Sequence, residues 1–381
     1  VFIFRLIKRV LKFALIVVLI AIAIPVVGLI YGFATTPPLE PAQATDAAAD
    51  NPPSQALADQ LRTEIPGYQR TEESTFLTYP EWAIVYAARE YAGFVKDHRE
   101  SGFPYWSYIG RFWQDYAMVI RASSGYPFNF ANHQMLAVIG TSHTVEHAIQ
   151  WAYENSIGRI TEWLSGYPVA VDRYQAGVAA DYAAFLDQVP WYQFPYAGKR
   201  AGLMATEPAA GDSAARTFER KGQGWLAYSI KQGYADLIKA GLAATSDPAF
   251  LDIHVWATGD TPGAVAAAII GEADTDIEKD LGAEGAVFVT KRYQVFTEMI
   301  PRLIAKGIRF RQIGGNDEIL VSLIADREIA MPAGARALFD YPLPADPAVR
   351  RIGLIAPVSQ LHAILHALAT SGARLEHIYD Y

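Results

Sequence analysis

The sequence predicts a membrane-anchored chain that folds as an antiparallel helical domain followed by a C-terminal mixed-sheet α+β domain. Three observations lead there. Nineteen uncharged residues, Phe13 to Tyr31, stand near the start. Helical apolar periodicity dominates from about residue 70 to 245, and past Asp247 short β-type runs alternate with helical ones. The expected division is therefore 1-35, a basic end and transmembrane helix; 36-69, an Ala/Pro-rich linker; 70-245, the helical domain; and 246-381, the α+β domain.

The apolar run is long enough to cross a bilayer as one helix. Arg5, Lys8, Arg9 and Lys12 precede it and the next charge is Glu40. The basic excess keeps the N-terminus cytoplasmic, which places the body on the periplasmic or extracellular side of a bacterial-type inner membrane, with lipid contact over residues 13-33. Pro25 inside the run predicts a kink rather than a break. A cleaved signal peptide has the same basic-then-apolar layout and is the competing reading, although its apolar core is usually shorter.

Composition narrows the chemistry. The formal net charge is −8, and because the four early basic residues contribute +4, the rest of the chain is more acidic still. Such a body is a poor nucleic-acid ligand, since that affinity comes from neutralising phosphates. Cysteine is absent, which removes disulfides, thiolate metal sites and a cysteine nucleophile. Aromatic residues concentrate between Tyr68 and Tyr234 and suit both a core and an interface.

The elements follow from local pattern. Pro37-Pro38 and Pro52-Pro53 favour an extended tether. Thr78-Tyr79-Pro80-Glu81 has the form of a capping box and predicts a helix start at Thr78. Further helices are expected over Tyr105 to Ala122, Asn132 to Ile157, Ile157 to Leu164 closed by Gly166, and Val171 to Gln188. A helical pair should follow, Ser213 to Lys221 and Gly224 to Ala244, weakened by Gly222, Gly224, Gly233 and Gly241. The later runs read β-α-β-α-β-β-β-α-β, a split β-α-β, ferredoxin-like arrangement. Gly314-Gly315-Asn316-Asp317 reads as a hairpin turn, and Gly307 and Gly372 stand where helix C-caps belong. No internal repeat is visible.

The strongest chemical pattern is His143-Thr144-Val145-Glu146-His147, continuing to Glu154. On a helix these histidines are one turn apart, and Glu146, Gln150 and Glu154 fall on the same side. The spacing matches H-x-x-E-H, in which two histidines hold zinc and the glutamate activates water. That reading makes Glu146 the general base and His143, His147 and Glu154 the metal ligands. A further carboxylate would be needed, and Glu162, Asp172 and Asp181 are all available. The simpler reading is a solvated polar face, which any surface helix shows. His362 and His366 repeat the i, i+4 spacing without a nearby carboxylate. WATGDTPG, from Trp256, lacks the phosphate-loop lysine and the dinucleotide fingerprint. No G-x-S-x-G is present.

With no complete catalytic motif, the leading functional expectation is a single-pass, non-catalytic accessory, scaffold or self-assembling subunit of a membrane complex. A homo-oligomer or a membrane-complex partner accompanies that reading. A zinc-dependent hydrolase on the His143/Glu146/His147 stripe is the first alternative. A periplasmic ligand-binding or sensing module, with its pocket between the two domains, is the second.

Overall fold

The computed structural model describes residues 2–37, 54–245 and 252–379. Of the linker expected over 36-69, residues 38–53 lie outside them, and Gln55–Glu64 forms a helix instead. The chain begins with α1 (Phe2–Thr35), α2 (Gln55–Glu64), α3 (Glu72–Asp97), α4 (Tyr105–Ala122) and α5 (Phe130–Tyr153). A π-helical turn over Glu154–Gly158 leads into α6 (Arg159–Ser165), and α7 (Ala170–Leu186), α8 (Tyr196–Ala205) and α9 (Ala214–Thr245) complete the helical part.

The expected anchor is corrected. Among the described residues no helix is long and apolar enough to cross a membrane, which conflicts with an inner-membrane location. The later part of the apolar run has a different use. Gly28 and Gly32 lie one turn apart on α1, and a β-carbon at either would collide with Trp113 of α4. Their missing side chains let the two helices approach closely, while Ile24 and Leu29 join the apolar cluster beneath. Arg121 of α4 donates to the carbonyls of Phe33 and Thr36 at 2.9 and 2.7 Å. Those carbonyls have no intrahelical partner at a helix end, so Arg121 supplies the cap.

Two sequence expectations shift by the same cause, tertiary burial overriding local preference. Helix α3 starts at Glu72 rather than Thr78 and carries Pro80 in its interior. Phe76, Tyr79, Trp82 and Tyr86 form one buried face against the sheet, and continuing the helix upstream brings Phe76 into that face. The expected pair over 213–244 is the single helix α9. Gly224 does not break it, because its bare backbone admits Leu203 of α8. The aromatic segment after Pro190 is folded inward, where Phe194 and Tyr196 pack with Val178 of α7 and Ala235 of α9.

The C-terminal part holds β1 (Asp252–Thr258), α10 (Ala264–Ile269), β2 (Asp276–Asp280), β3 (Ala286–Lys291), α11 (Gln294–Ala305) and β4 (Arg309–Ile313). It continues with β5 (Glu318–Ala325), β6 (Arg336–Pro342), β7 (Arg350–Pro357), α12 (Leu361–Ser371) and β8 (Arg374–Ile378). One mixed sheet is replaced by two four-stranded sheets, ordered β2-β3-β1-β4 and β6-β7-β5-β8, in which all neighbours pair antiparallel. The two orders are the same pattern shifted by four strands. The fold therefore contains a duplication that the sequence does not display, with α11 and α12 in equivalent places before each last strand.

The glycine pair after β4 makes the tight turn expected of it, closed by an antiparallel bridge between Ile313 and Asn316, and beyond that bridge the chain passes from one copy to the other. Gly314 and Gly315 have φ of 58° and 71°, a region open to glycine at little cost. The turn hands the chain from the first sheet to the second, and Gln69 packs directly against Gly315.

Both sheets bury two faces. Ile253, Val255, Phe288, Val321, Leu323, Leu354 and Ala356 share one core with α10, α11 and α12. On the other side α2 and the segment just after it cover the first sheet through Leu61, Ile65 and Tyr68 against Trp256 and Val287. Helix α3 covers the second through its aromatic face against Leu320, Phe339, Tyr341, Ile355 and Tyr379. Double burial explains why β5 and β7 read as almost continuous apolar runs.

Candidate functional site

The predicted stripe is divided among three surroundings. His143 is buried against Phe112, and its ring centroid lies 4.0 Å from that of His147. The His147 Nδ1–H donates to the His143 carbonyl at 3.0 Å. Burial, reinforced by the neighbouring imidazole, pushes His143 well below the ordinary histidine range, and burial lowers His147 too. Glu146 points instead to α9, where it pairs with Lys231 at 2.6 Å. Glu154 lies in the π-helical turn and accepts from Arg220 at 3.0 Å.

Thus the two imidazoles converge and the two carboxylates leave. Among the described residues, no group of three or more histidine, aspartate or glutamate side chains is placed to hold a metal ion. Of the further carboxylates considered, Asp181 pairs with Lys199 near the surface at 2.6 Å. Glu162 and Asp172 enter the same cluster as Glu154.

That cluster is the densest group of charges in the helical part. The first turns of α9 present Arg216 and Arg220 at i, i+4 spacing, which puts both on one face, and each is 0% exposed. Arg216 donates Nε and Nη2 to Asp172 at 3.1 and 2.9 Å, and Nη1 to the Gly158 carbonyl at 3.0 Å and to Thr161 at 2.8 Å. Arg220 donates to Glu219, Glu154 and Glu100. The π-helical turn makes this possible by aiming the Gly158 carbonyl at one guanidinium and the Glu154 side chain at the other. A β-carbon at Gly158 would meet the Glu154 carboxylate, so a larger residue there would displace that side chain from its place beside Arg220. Such turns recur at functional sites.

Five carboxylates, Glu100, Glu154, Glu162, Asp172 and Glu219, surround these two guanidiniums. Negative charge is in excess, and the site relieves part of it by keeping a proton. Burial and the adjacent Glu100 push Glu154 up to about 8, so it carries a proton near neutral pH. The arginines were missed in the sequence because nothing distinguishes their i, i+4 spacing from a solvated helix face. The one available signal was Glu219 beside Arg220, opposite charges adjacent in the first turns of the helix.

A second buried acid, Asp115 on α4, is raised by burial to about 7 against the pull of Arg111 and Arg351. Together these shifts fix the sign of a pH effect. Between pH of about 6.5 and 8 the unfolded chain has already lost its carboxyl protons, whereas the folded chain still binds them on Glu154 and Asp115. Stability should therefore fall as pH rises through that window. The histidines act oppositely and lower down: neutral in the fold, they lend stability fully above about pH 6.5 and lose it on acidification. Thermal melts should show a lower midpoint at about pH 8 than at about pH 6.5, and Glu154→Gln should flatten that limb. A midpoint that rises across the window would contradict the assignment.

The chain matches no protein-family model, and no curated protein or solved structure is similar to it.

Proposed function

We propose that this chain is a non-catalytic, self-assembling subunit that pairs with a second copy through the outer face of α9. One observation carries the reading: Leu226, Ile230 and Leu237 are 54, 63 and 67% exposed, and with Gly233 and Ala240 they form a single helical stripe. The spacings of four, three, four and three residues are those of a coiled-coil seam. Large exposed apolar faces mark interaction surfaces rather than ordinary monomer surface.

The stripe is also self-complementary. In an antiparallel two-fold pairing, Ile230 of one copy faces Gly233 of the other, and Leu226 faces Leu237. A β-carbon at Gly233 would meet nothing within 4 Å, so the helix offers a hollow opposite a branched side chain. Two-fold pairing of one patch with itself is the commonest route to an oligomer. Further support comes from the polar groups of the His143 stripe, whose carboxylates are engaged in internal ion pairs.

Light scattering on the purified protein tests this. The expected result is a discrete species of twice the chain mass, converted to the single-chain mass by Leu226→Glu with Leu237→Glu. Ile270→Glu, which changes an exposed apolar residue next to α10, should leave the dimer intact. A wild-type protein that is monomeric at all concentrations, or a stripe variant that keeps the dimeric mass, would overturn the proposal.

A further inference from the structure

A cavity of about 580 Å³ opens where the end of α3 and the turn after it meet α6. Its volume falls within the range of about 300–1,000 Å³ usual for small-molecule sites. Phe94, near the end of α3, and His98 and Arg99, just after it, are among its lining residues. Arg159 and Trp163 line it from α6, where their i, i+4 spacing puts both on one face.

The charge that this cavity presents to solvent is positive. Glu162 of α6 is buried and turned toward the arginine cluster, where one carboxylate oxygen accepts from the Ser101 hydroxyl at 2.7 Å and the other pairs with Arg216. Arg99 and Arg159 are exposed, and neither forms an ion pair with a carboxylate of the described residues. The Arg99 guanidinium carbon lies 6.0 Å from the centre of the Tyr167 ring, and the Tyr167 hydroxyl donates to the His98 carbonyl at 2.9 Å. That contact ties the turn after α3 in place and keeps Arg99 beside the opening. In a chain of net charge −8, two arginines without a carboxylate partner at one cavity leave a place for an anion from solution.

The remaining walls are aromatic. Trp163 is 80% exposed, so a ligand laid on its indole would take a large apolar surface out of water. The Phe94 ring stacks on that of His98, with centroids 4.7 Å apart and planes 22° from parallel, and gives a second flat surface. Flat walls beside two guanidiniums suit a planar ring that carries an anion, and the arginine fork matches a carboxylate. The cluster behind Glu162, with five carboxylates to two guanidiniums, repels a dianion such as a phosphate more than a single negative charge. We propose that this cavity binds a planar aromatic carboxylate, with its carboxylate group at Arg99 and Arg159 and its ring against Trp163 and Phe94. The site shares no residue with the α9 stripe and does not depend on dimerisation.

Calorimetric titration of the purified chain with 1-naphthoate tests the assignment. Three further probes change one property each: 1-naphthalenemethanol removes the charge, cyclohexanecarboxylate removes the flat ring, and 1-naphthyl phosphate doubles the charge. Saturable binding of 1-naphthoate is expected, at least about tenfold tighter than that of each other probe, the scale of one lost charged hydrogen bond. Arg159→Ala should weaken 1-naphthoate about tenfold and leave the weaker alcohol unaffected, whereas Trp163→Ala should weaken both. Both positions are exposed and take no part in the buried cluster, so the two variants should melt as the wild type does. No heat of binding into the millimolar range would overturn the proposal. Binding of 1-naphthoate that is indifferent to Arg159→Ala would also overturn it, as would equal or tighter binding of the alcohol, the cyclohexane acid or the phosphate.

Discussion

Replacing Arg351 by methionine should destabilise the chain by about 3–5 kcal/mol, the usual consequence of removing one partner from a buried ion pair. Arg351 sits on β7, on the face of the second sheet that α3 covers. Its Nε and Nη2 each reach Glu376 on β8 at 2.8 Å, and Nη2 also reaches Glu90 on α3 at 2.9 Å. Its guanidinium carbon lies 4.0 Å from the centre of the Tyr86 ring. The register of β8 on β5 steps between Ser322 and Leu323 and leaves Glu376 as the extra residue. A bulge re-aims a side chain in this way, and here it turns a carboxylate toward α3.

Without Arg351, Glu376 and Glu90 would remain as buried acids at the junction of the helical and sheet parts. Arg89, 3.6 Å from Glu376, would be the nearest remaining compensation. The double variant Arg351→Met with Glu376→Gln should accordingly be less destabilised than Arg351→Met alone, because one uncompensated charge goes with the cation. Urea unfolding of the three proteins measures both statements. A single-variant loss below about 1 kcal/mol, the scale of a surface pair, would show that the junction does not depend on this arginine.

Arg220→Ala should have a comparable cost, again about 3–5 kcal/mol, and a distinctive pH dependence. Removing this guanidinium leaves Glu100, Glu154 and Glu219 facing one another with Arg216 as the remaining cation. Their protonated forms then become favoured even more strongly in the fold. Stability lost at neutral pH should be partly regained on acidification to about pH 5, where such raised carboxyls take up protons. Arg220→Lys should not restore the wild type, since a single ammonium cannot bridge three carboxylates as the planar fork does. Calorimetric melts across this range give the comparison. An Arg220→Ala protein whose deficit is the same at every pH would argue that the arginine acts through packing alone.

Several features are legible in the residues alone. The glycines at 307 and 372 were placed at helix ends, and both have positive φ, 83° and 84°. Helix α4 follows directly from its periodicity. What the pattern could not show was where each polar stripe would point. His143, Glu146, His147 and Glu154 share one side of a helical projection, yet α9 supplies Lys231 to one carboxylate and Arg220 to another. A helical wheel contains no neighbouring helix, so it cannot distinguish ligands converging on an ion from acids dispersed among cations. Thr78 lies inside α3 rather than at its start for a related reason. Its capping pattern was present, but the buried face of Phe76 and Tyr79 outweighed it.

The residues alone decided the class of each segment: helical periodicity up to about residue 245, β-type alternation beyond it, an acidic and cysteine-free composition, and glycines where the backbone must turn left-handed. These are local properties, set by side-chain spacing and φ preferences that act over a few residues. The partnering of segments was decided only in three dimensions. The apolar N-terminal run became, over Ile24 to Gly32, a helix docked on Trp113. One expected sheet became two related ones, and the catalytic-looking stripe was divided, with Glu154 alone of its members entering the arginine-centred charge cluster. Each of those outcomes depends on contacts between residues far apart in the chain, where burial and charge compensation outweigh any short-range signal.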